Sequence, residues 1–383
     1  MDPPKKFPVP LPPEMWIGYR TNPLLALGRK DLVAQAMKKI PFIVTISYTL
    51  DEVAEFADIV LPEEVELERY LLYFRTRSVC QKKYFQLVLQ QPVIEKAQET
   101  WNANDIFIEL AFKLGFLDRM NKTLNNFLCL KEPYSLIPDR KYSWEEIVDK
   151  QCLSYTAGVY DLEWFKKNGG IVKPVPLDDR YDIHKAMNEK KLRYPVPYME
   201  DVKKAGEDLG KNLKKVGIDW WPTNEYVPLP TYFTQTIEEL PPEYDLYVTN
   251  CRLATFGWGN NPDIPWMNEL SEHIKGANYI TMNEDAAKDR GIKDGDDVWI
   301  ESPFGKVRQK VTLIQGIRPD VVLISGQFGQ WAMPVAKEKE RVTISDLLPV
   351  DYKWTDKVTG TQQGQLIKAK VYKARNAGKA GAR

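Results

Sequence analysis

Histidine and paired cysteine are scarce in this chain of 383 residues. It holds two histidines, and none of its four cysteines is spaced as C-x-x-C. Because structural zinc sites and iron–sulfur clusters are held by grouped Cys and His side chains, the sequence predicts neither kind of site within the chain, and no metal ligand. The cysteines are expected to be reduced core thiols: Cys80, Cys129, Cys152 and Cys251.

Long apolar runs and a net charge are also absent. No stretch reaches the roughly twenty apolar residues that a membrane-spanning helix needs, and the first residues lack the apolar segment of a signal peptide. Lys plus Arg and Asp plus Glu both number 53, so neither a nucleic acid nor an anionic membrane is expected as the main partner. The sequence predicts a soluble chain, with no direct membrane span and a cytoplasmic location.

The composition that remains is that of a globular protein, with 43% apolar residues. The length suggests two or three domains. The predicted division is a proline-rich arm over 1–14, part of an α/β domain over 15–92, a helical and irregular linking region over 93–240, a β-barrel domain over 241–373 and a disordered tail over 374–383.

The densest local signals lie between Tyr279 and Gln330. Asn283 has the properties of a helix N-cap, and Gly291 ends the short helix that follows. Alternating residues then predict two strands joined by a tight turn, over Val298–Glu301 and Lys306–Leu313. These elements predict a small, closed β-barrel decorated by one helix.

The front of the chain has the pattern of a strand, helix and strand unit. Strands are predicted over Met15–Tyr19, Phe42–Ile46 and 57–62, with a helix over Leu24–Lys39 and a shorter one over Leu50–Phe56. Parallel strands joined by helices bind ligands at their carboxyl ends, so the loops there are candidate sites. Three strands are few for such a sheet. Further strands are expected from a partner or from a longer polypeptide.

The middle of the chain is predicted to be mixed. Helices are expected over Trp101–Phe116, Trp144–Ser154 and Asp161–Lys167. From residue 171 to 231 charge, proline and aromatics show no clear period, which predicts a long surface crossover. The aromatic segments W-W-P and F-G-W-G-N-N-P-D-I-P-W either line a substrate funnel or simply pack.

Several motifs occur in the order of one known family. They are Asn22-Pro23, A-D-I-V-L-P at 57–62, Leu67-Glu68-Arg69, C-R-L-A-T at 251–255, N-E-D-A-A-K-D-R-G-I-K-D-G-D-D-V at 283–298, and G-Q-F-G-Q-W at 326–331. Together they resemble the pterin-binding and dinucleotide-binding parts of the dimethyl sulfoxide reductase family of molybdenum and tungsten enzymes. Gln327-Phe328 departs from the family's H-G-x-W segment. The matched motifs span nearly the whole chain.

The resemblance implies both a fold and a function. The fold is α/β plus β: a partial parallel α/β pterin-binding domain, a helical linking region and a C-terminal six-stranded double-psi-type β-barrel. The implied function is that of the C-terminal half of an oxidoreductase that acts on a small molecule with molybdopterin guanine dinucleotide (bis-MGD) and Mo or W. The metal ligand and any Fe–S cluster would come from a second chain or a missing N-terminal part, and catalytic residues stay unknown.

Two alternatives to this function differ in class. The first is a non-catalytic scaffold subunit derived from the same family. The second is a barrel enzyme that acts alone, which is disfavoured because the chain has no His, Cys or Ser constellation suited to catalysis.

A pterin guanine dinucleotide carries a pyrophosphate and two polar ring systems. Such a ligand needs loops that offer backbone N–H groups, Asn, Thr and Asp side chains and an Arg. Arg252 has an alternative role, since it could pair with Glu243 or Asp245. The predicted cofactor-binding residues are Thr21, Asn22, Ser47, Thr49, Arg252, Thr255, Asn283, Asp285, Gln327 and Trp331.

Overall fold

The computed structural model describes residues 12–75, 84–97, 99–176, 197–229, 231–361 and 366–374. The chain divides into two compact units, each built from separate stretches. The first unit comprises Met1–Thr45, Thr49–Val60 and Val196–Arg383, and the second comprises Ile46–Tyr48 and Leu61–Pro195. The predicted tail beyond Ala374 and most of the predicted arm lie outside the described residues, and the predicted domain boundaries stay predictions.

The front strands form a three-stranded sheet in the order β1–β2–β3. The strands are β1 (Met15–Tyr19), β2 (Phe42–Ser47) and β3 (Ile59–Pro62), as the sequence predicts. Apolar side chains close a small core beside them, with Leu24, Met37, Ile43 and Val53 all buried. The expected helix over Leu50–Phe56 is only a 3-10 turn, Ala54–Phe56, preceded by the Asp51 carboxylate, which accepts from the backbone N–H groups of Val53 and Ala54.

The single helix predicted over Leu24–Lys39 is wrong. The chain forms two helices, α1 (Pro23–Ala26) and α2 (Lys30–Met37). Arg29 between them has a left-handed backbone, with a φ of 50°. Gly28 packs so tightly that an added Cβ would lie 2.3 Å from the carbonyl oxygen of Leu348. This contact is distant in sequence, so the local helical spacing could not predict the break.

Six strands close into a β-barrel. They are β7 (Leu246–Cys251), β8 (Ile280–Asn283), β9 (Asp297–Glu301), β10 (Lys306–Ile314), β11 (Val321–Ser325) and β12 (Leu366–Lys373). The order around the barrel is β10–β8–β11–β7–β12–β9. The pairs β10–β8 and β11–β7 are parallel, and the other four are antiparallel. The predicted six-stranded double-psi-type barrel is confirmed.

Alternating side chains fill the barrel. Val298 and Ile300 of β9 and Ile367 and Ala369 of β12 are fully buried, as expected for strands with one face inward. The predicted short helix is α9 (Glu284–Lys288), which begins at Asn283 and is followed by Gly291 with a φ of 64°.

The second unit packs helices on an antiparallel sheet. The helices are α3 (Ala103–Lys113), α4 (Leu117–Phe127), α5 (Trp144–Tyr155) and α6 (Leu162–Asn168). The sheet consists of β4 (Leu71–Arg75), β5 (Tyr84–Gln90) and β6 (Gly170–Pro174), in the order β4–β5–β6. Leu87, Ile147 and Phe165 are fully buried in the core between them. The three predicted helices of the middle region are confirmed as α3, α5 and α6.

Regular structure replaces part of the predicted crossover over 171–231. Besides β6, the chain forms α7 (Pro197–Lys215), a helix of 19 residues. The aromatic segment likewise ends in a helix, α8 (Pro265–His273), with its proline in the first turn. No described helix is long and apolar enough to cross a bilayer.

The cysteines differ in their surroundings. Cys152 is buried, and burial raises the pKa of its thiol to about 12. Cys251 is half-buried, but Cys129 is exposed, so the prediction of a core position is wrong for that residue. Cys80 lies outside the described residues.

Candidate functional site

The loops that follow β1, β7 and β11 carry most of the predicted binding residues. These three loops belong to the first unit. Thr21 and Asn22 follow β1, Arg252 and Thr255 follow β7, and Gln327 follows β11. Because β7 and β11 are parallel neighbours, their carboxyl ends lie at the same end of the barrel. Ser47 ends β2, is half-buried, and is counted with the second unit.

A buried carboxylate, Glu52, joins two of these loops. Its Oε2 accepts a hydrogen bond from Asn22 Nδ2 at 2.7 Å. Its Oε1 accepts from the backbone N–H groups of Trp331 at 2.7 Å and Ala332 at 2.9 Å. The loop after β1 and the segment after β11 are therefore held by one side chain that is 0% exposed.

A second carboxylate, Asp263, makes a similar connection. Its Oδ1 accepts from the backbone N–H groups of Val335 at 2.8 Å and Ala336 at 3.1 Å. Its Oδ2 accepts from the hydroxyl of Thr49 at 3.1 Å. Thr49, a predicted binding residue, is thus fixed beside the segment that follows Trp331.

The loops after β7 and β11 are joined by Gln327. Its Oε1 accepts from the backbone N–H of Leu253 at 3.2 Å, and its Nε2 donates to the carbonyl of Phe256 at 3.0 Å. Gln327 is buried, so its amide supports the loop that contains Arg252 and Thr255.

Three predicted residues leave polar groups exposed at this end. Thr21 and Thr255 are exposed, and so is Arg252. The guanidinium of Arg252 donates to the carbonyl of Gly257 at 3.4 Å, and no ion pair with a described residue is seen. The alternative pairing of Arg252 with Asp245 is wrong, because Asp245 pairs with Arg290.

Asn22 combines a paired nitrogen with an unpaired oxygen. Its Nδ2 is held by Glu52, whereas its Oδ1 is shielded from solvent and has no hydrogen-bond partner. A buried acceptor without a donor costs about 1 to 3 kcal/mol. This atom is therefore the part of the site that most needs a group from outside the chain.

Asn283 and Asp285 lie elsewhere on the barrel. Strand β8 runs antiparallel to β11, so the carboxyl end of β8 meets the start of β11. The Oδ1 of Asn283 caps α9 by accepting from Asp285 N at 2.9 Å and Ala286 N at 3.3 Å, and its Nδ2 donates to Ile317 O at 2.8 Å. The structure does not bring Asn283 and Asp285 together with Arg252 and Gln327.

Behind the loop that follows β11 lies a small cavity lined by Phe328, Asn278 and Arg341. The Arg341 guanidinium lies over the Phe328 ring, 4.5 Å from its centre, and donates to Ser271 Oγ at 2.6 Å. Burial lowers the pKa of Arg341 to about 10. The cavity measures about 10 Å³, which suffices for about one water and excludes a dinucleotide.

Glu52 and Asp263 connect segments that lie far apart in sequence, and the sequence did not predict either of them as part of the site. Their hydrogen-bond partners are as far as 280 residues along the chain, and no local pattern announces them. Within the described part of the chain, no group of three His, Cys, Asp or Glu side chains could hold a metal ion.

Comparison with known proteins places this geometry in context. Residues 264–360 match the model of the molydopterin dinucleotide binding domain. This segment of the chain is therefore similar to that domain. The predicted resemblance to the C-terminal portion of dimethyl sulfoxide reductase family enzymes is thereby confirmed.

The relatives of this chain are longer than it is. It is 24% identical to the thiosulfate reductase molybdopterin-containing subunit PhsA of Salmonella typhimurium, over 89% of this chain and 41% of that protein. It is 23% identical to the arsenate respiratory reductase molybdopterin-containing subunit ArrA of Chrysiogenes arsenatis, over 89% of this chain and 43% of that protein. Acetylene hydratase from Pelobacter acetylenicus shares the fold, with a TM-score of 0.62 and 15% identity, over 97% of this chain and 45% of that one.

Proposed function

We propose that this chain is the cofactor-binding C-terminal portion of an oxidoreductase that carries molybdenum or tungsten on two pterin guanine dinucleotides. The observation that carries the proposal is the joining of the loops after β1, β7 and β11 through Glu52 and Gln327. These loops offer the mixture of donors and acceptors that such a ligand requires. The family match at residues 264–360 supports the same cofactor.

The residues present fit distinct parts of the cofactor. Arg252 is suited to a phosphate oxygen because it is exposed and is not neutralised by a described carboxylate. The hydroxyls of Thr21 and Thr255 can donate or accept, and the Asn22 oxygen needs a donor. When bound, the cofactor would supply the metal centre at which the substrate exchanges electrons.

The chain spans only 41% of one relative and 43% of another, so the rest of such an enzyme would lie outside it. We propose that the metal ligand and any iron–sulfur cluster come from a second chain or from a preceding part of a longer one. The substrate is a small molecule, and the cytoplasmic location stays a prediction.

The first test is to purify the chain from its native source with whatever binds to it. The proposal predicts molybdenum or tungsten near one atom per complex, guanine nucleotide released by acid, and a polypeptide that bears the metal ligand. A chain that binds partner proteins but holds neither metal nor guanine would instead support the scaffold alternative.

A substitution at Arg252 tests the site itself. Because a hydrogen bond to a charged group contributes about 1.5 to 3 kcal/mol, Arg252→Ala is expected to lower the guanine bound per chain roughly tenfold or more. Its melting temperature should stay unchanged, since the side chain is exposed. Arg318→Ala is the matched control, because Arg318 is exposed and paired with Asp320. Equal guanine content in the two variants would contradict the assignment of Arg252.

A further inference from the structure

Three N–H donors converge on the carboxylate of Glu52. Two backbone N–H groups, from Trp331 and Ala332, meet Oε1, and the side-chain amide of Asn22 meets Oε2. An ionised carboxylate can only accept hydrogen bonds. The two carboxylate oxygens of Glu52 accept from all three of these donors.

This arrangement fixes the orientation of the Asn22 amide. The oxygen and nitrogen of a side-chain amide are hard to tell apart, so they are usually assigned from their hydrogen-bond partners. Here the NH₂ group must face Glu52, so Oδ1 must face the other way. That oxygen is buried and unpaired, although the preceding residue, Thr21, is exposed.

The unpaired oxygen restricts which part of a ligand can complete the site. Phosphate oxygens only accept hydrogen bonds at neutral pH, so they would leave Oδ1 unsatisfied. The ring systems of pterin and guanine both carry N–H groups at their edges, and either can donate to it. The phosphates must then be bound by other groups, such as Arg252.

We propose that Glu52 sets the hydrogen-bond polarity of Asn22, so that the loop after β1 offers an acceptor to a ring N–H of the pterin or guanine. This inference rests on the proposed function and deepens it. Glu52 is a positioning residue: it acts on the cofactor through Asn22, and it ties the same amide to the backbone of Trp331.

Glu52→Gln tests this polarity because it keeps the size of the side chain. The new amide oxygen can still accept from Trp331 and Ala332, which leaves its NH₂ facing Asn22. The Asn22 amide then turns over and offers a donor to the ligand. We expect the guanine and pterin retained per chain to fall about tenfold or more, a loss typical of leaving buried polar groups unpaired.

A second substitution should restore the polarity. In the double variant Glu52→Gln with Asn22→Asp, the new carboxylate accepts from the new amide and again presents an acceptor to the ligand. Retention is therefore expected to return to within about threefold of the original chain. Glu55→Gln is the matched control, since Glu55 is exposed and its substitution makes the same change of charge.

Retention is measured as guanine and pterin released by acid from the purified complex, and melting temperature is recorded beside it. If the original chain retains neither compound, the proposed function fails before any variant is compared. If the original chain retains them and Glu52→Gln retains as much, the polarity inference is overturned. Equal losses in the single and the double variant would also overturn it, because they would show a merely structural role.

Should Glu52→Gln fail to fold, Asn22→Ala decides the question. It removes the acceptor while leaving Glu52 and its bonds to Trp331 and Ala332 in place. Retention about tenfold lower than in the Glu55→Gln control is expected. Unchanged retention would overturn the inference.

Discussion

At the scale of single residues, Glu301 of β9 is a carboxylate held by partners on both neighbouring strands. Lys306 of β10 and Lys370 of β12 stand directly opposite it, and Tyr372 also donates to it. These partners, the tyrosine first, lower the pKa of Glu301 from its ordinary 4.5 to about 2. Because the folded pKa is lowered, the stabilisation is complete above pH 4.5 and is lost as pH falls towards 2.

Glu301→Gln should therefore destabilise the protein at pH 7, by an amount that shrinks below pH 4.5 and vanishes near pH 2. Urea unfolding of both proteins across this range measures the difference. Glu243→Gln serves as the control, because Glu243 is exposed and its substitution makes the same change of charge. A difference that stays constant with pH would contradict the role of the Glu301 charge.

Two asparagines show how far single residues could be predicted from sequence. Asn22 and Asn283 were both expected to bind the cofactor, because each follows a strand. The cap formed by Asn283 depends on neighbours two and three residues away, so the sequence predicted it. The placement of Asn283 away from Arg252 depends on β8 running antiparallel to β11, and the partner of Asn22 is a carboxylate that local pattern does not reveal.

At the scale of elements, a substitution at the start of α9 can distinguish a capping role of Asn283 from a cofactor-binding role. Asn283→Ala removes the cap of α9 and leaves the carbonyl of Ile317 without its donor. We expect a loss of about 1 to 2 kcal/mol in the free energy of unfolding, with unchanged guanine per folded chain. Asn283→Asp keeps the capping oxygen and should lose less. Reduced guanine content at full stability would instead favour the binding role.

Helices are predicted best from sequence where the residues that start them lie next to them in the chain. The starts of α3, α5 and α6 are set by side chains that cap their own helix, namely Asn102, Ser143 and Asp161. These signals are local, and the three helices are predicted from sequence within a few residues of their observed bounds. The charge-rich α7 was not predicted, although Val202, Leu209 and Leu213 recur in it at helical spacing, because the proline- and charge-rich residues on either side of it show no such period.

At the scale of the whole chain, the first unit is assembled from both ends of the sequence. Ser345 donates to the carbonyl of Leu25, Lys30 pairs with Asp346, and Gly28 lies against the backbone of Leu348. The barrel and the front segment therefore share one packed region. This pairing could not be predicted from sequence, because nothing local to either segment identifies the other.

Gly28→Ala tests that region, since its Cβ would overlap backbone atoms that cannot move aside easily. Overpacking of this kind costs about 1 to 3 kcal/mol, so we expect a lower urea midpoint and faster proteolysis of the front segment. The control is Gly210→Ala in α7, where the new Cβ would lie 3.7 Å from Thr223 Oγ1. That change should be neutral or stabilising, by up to about 1 kcal/mol. Equal effects of the two substitutions would contradict the close approach.

The discontinuous first unit also constrains how the protein is made. Glu52 leaves the ribosome 279 residues before the backbone N–H of Trp331 that it binds. At typical rates of synthesis, this interval lasts roughly 15 to 55 s. During it the front segment has the Glu52 carboxylate but not the backbone N–H groups of Trp331 and Ala332 that it binds. The nascent chain is thus expected to need a chaperone until the strands of the barrel have been synthesised.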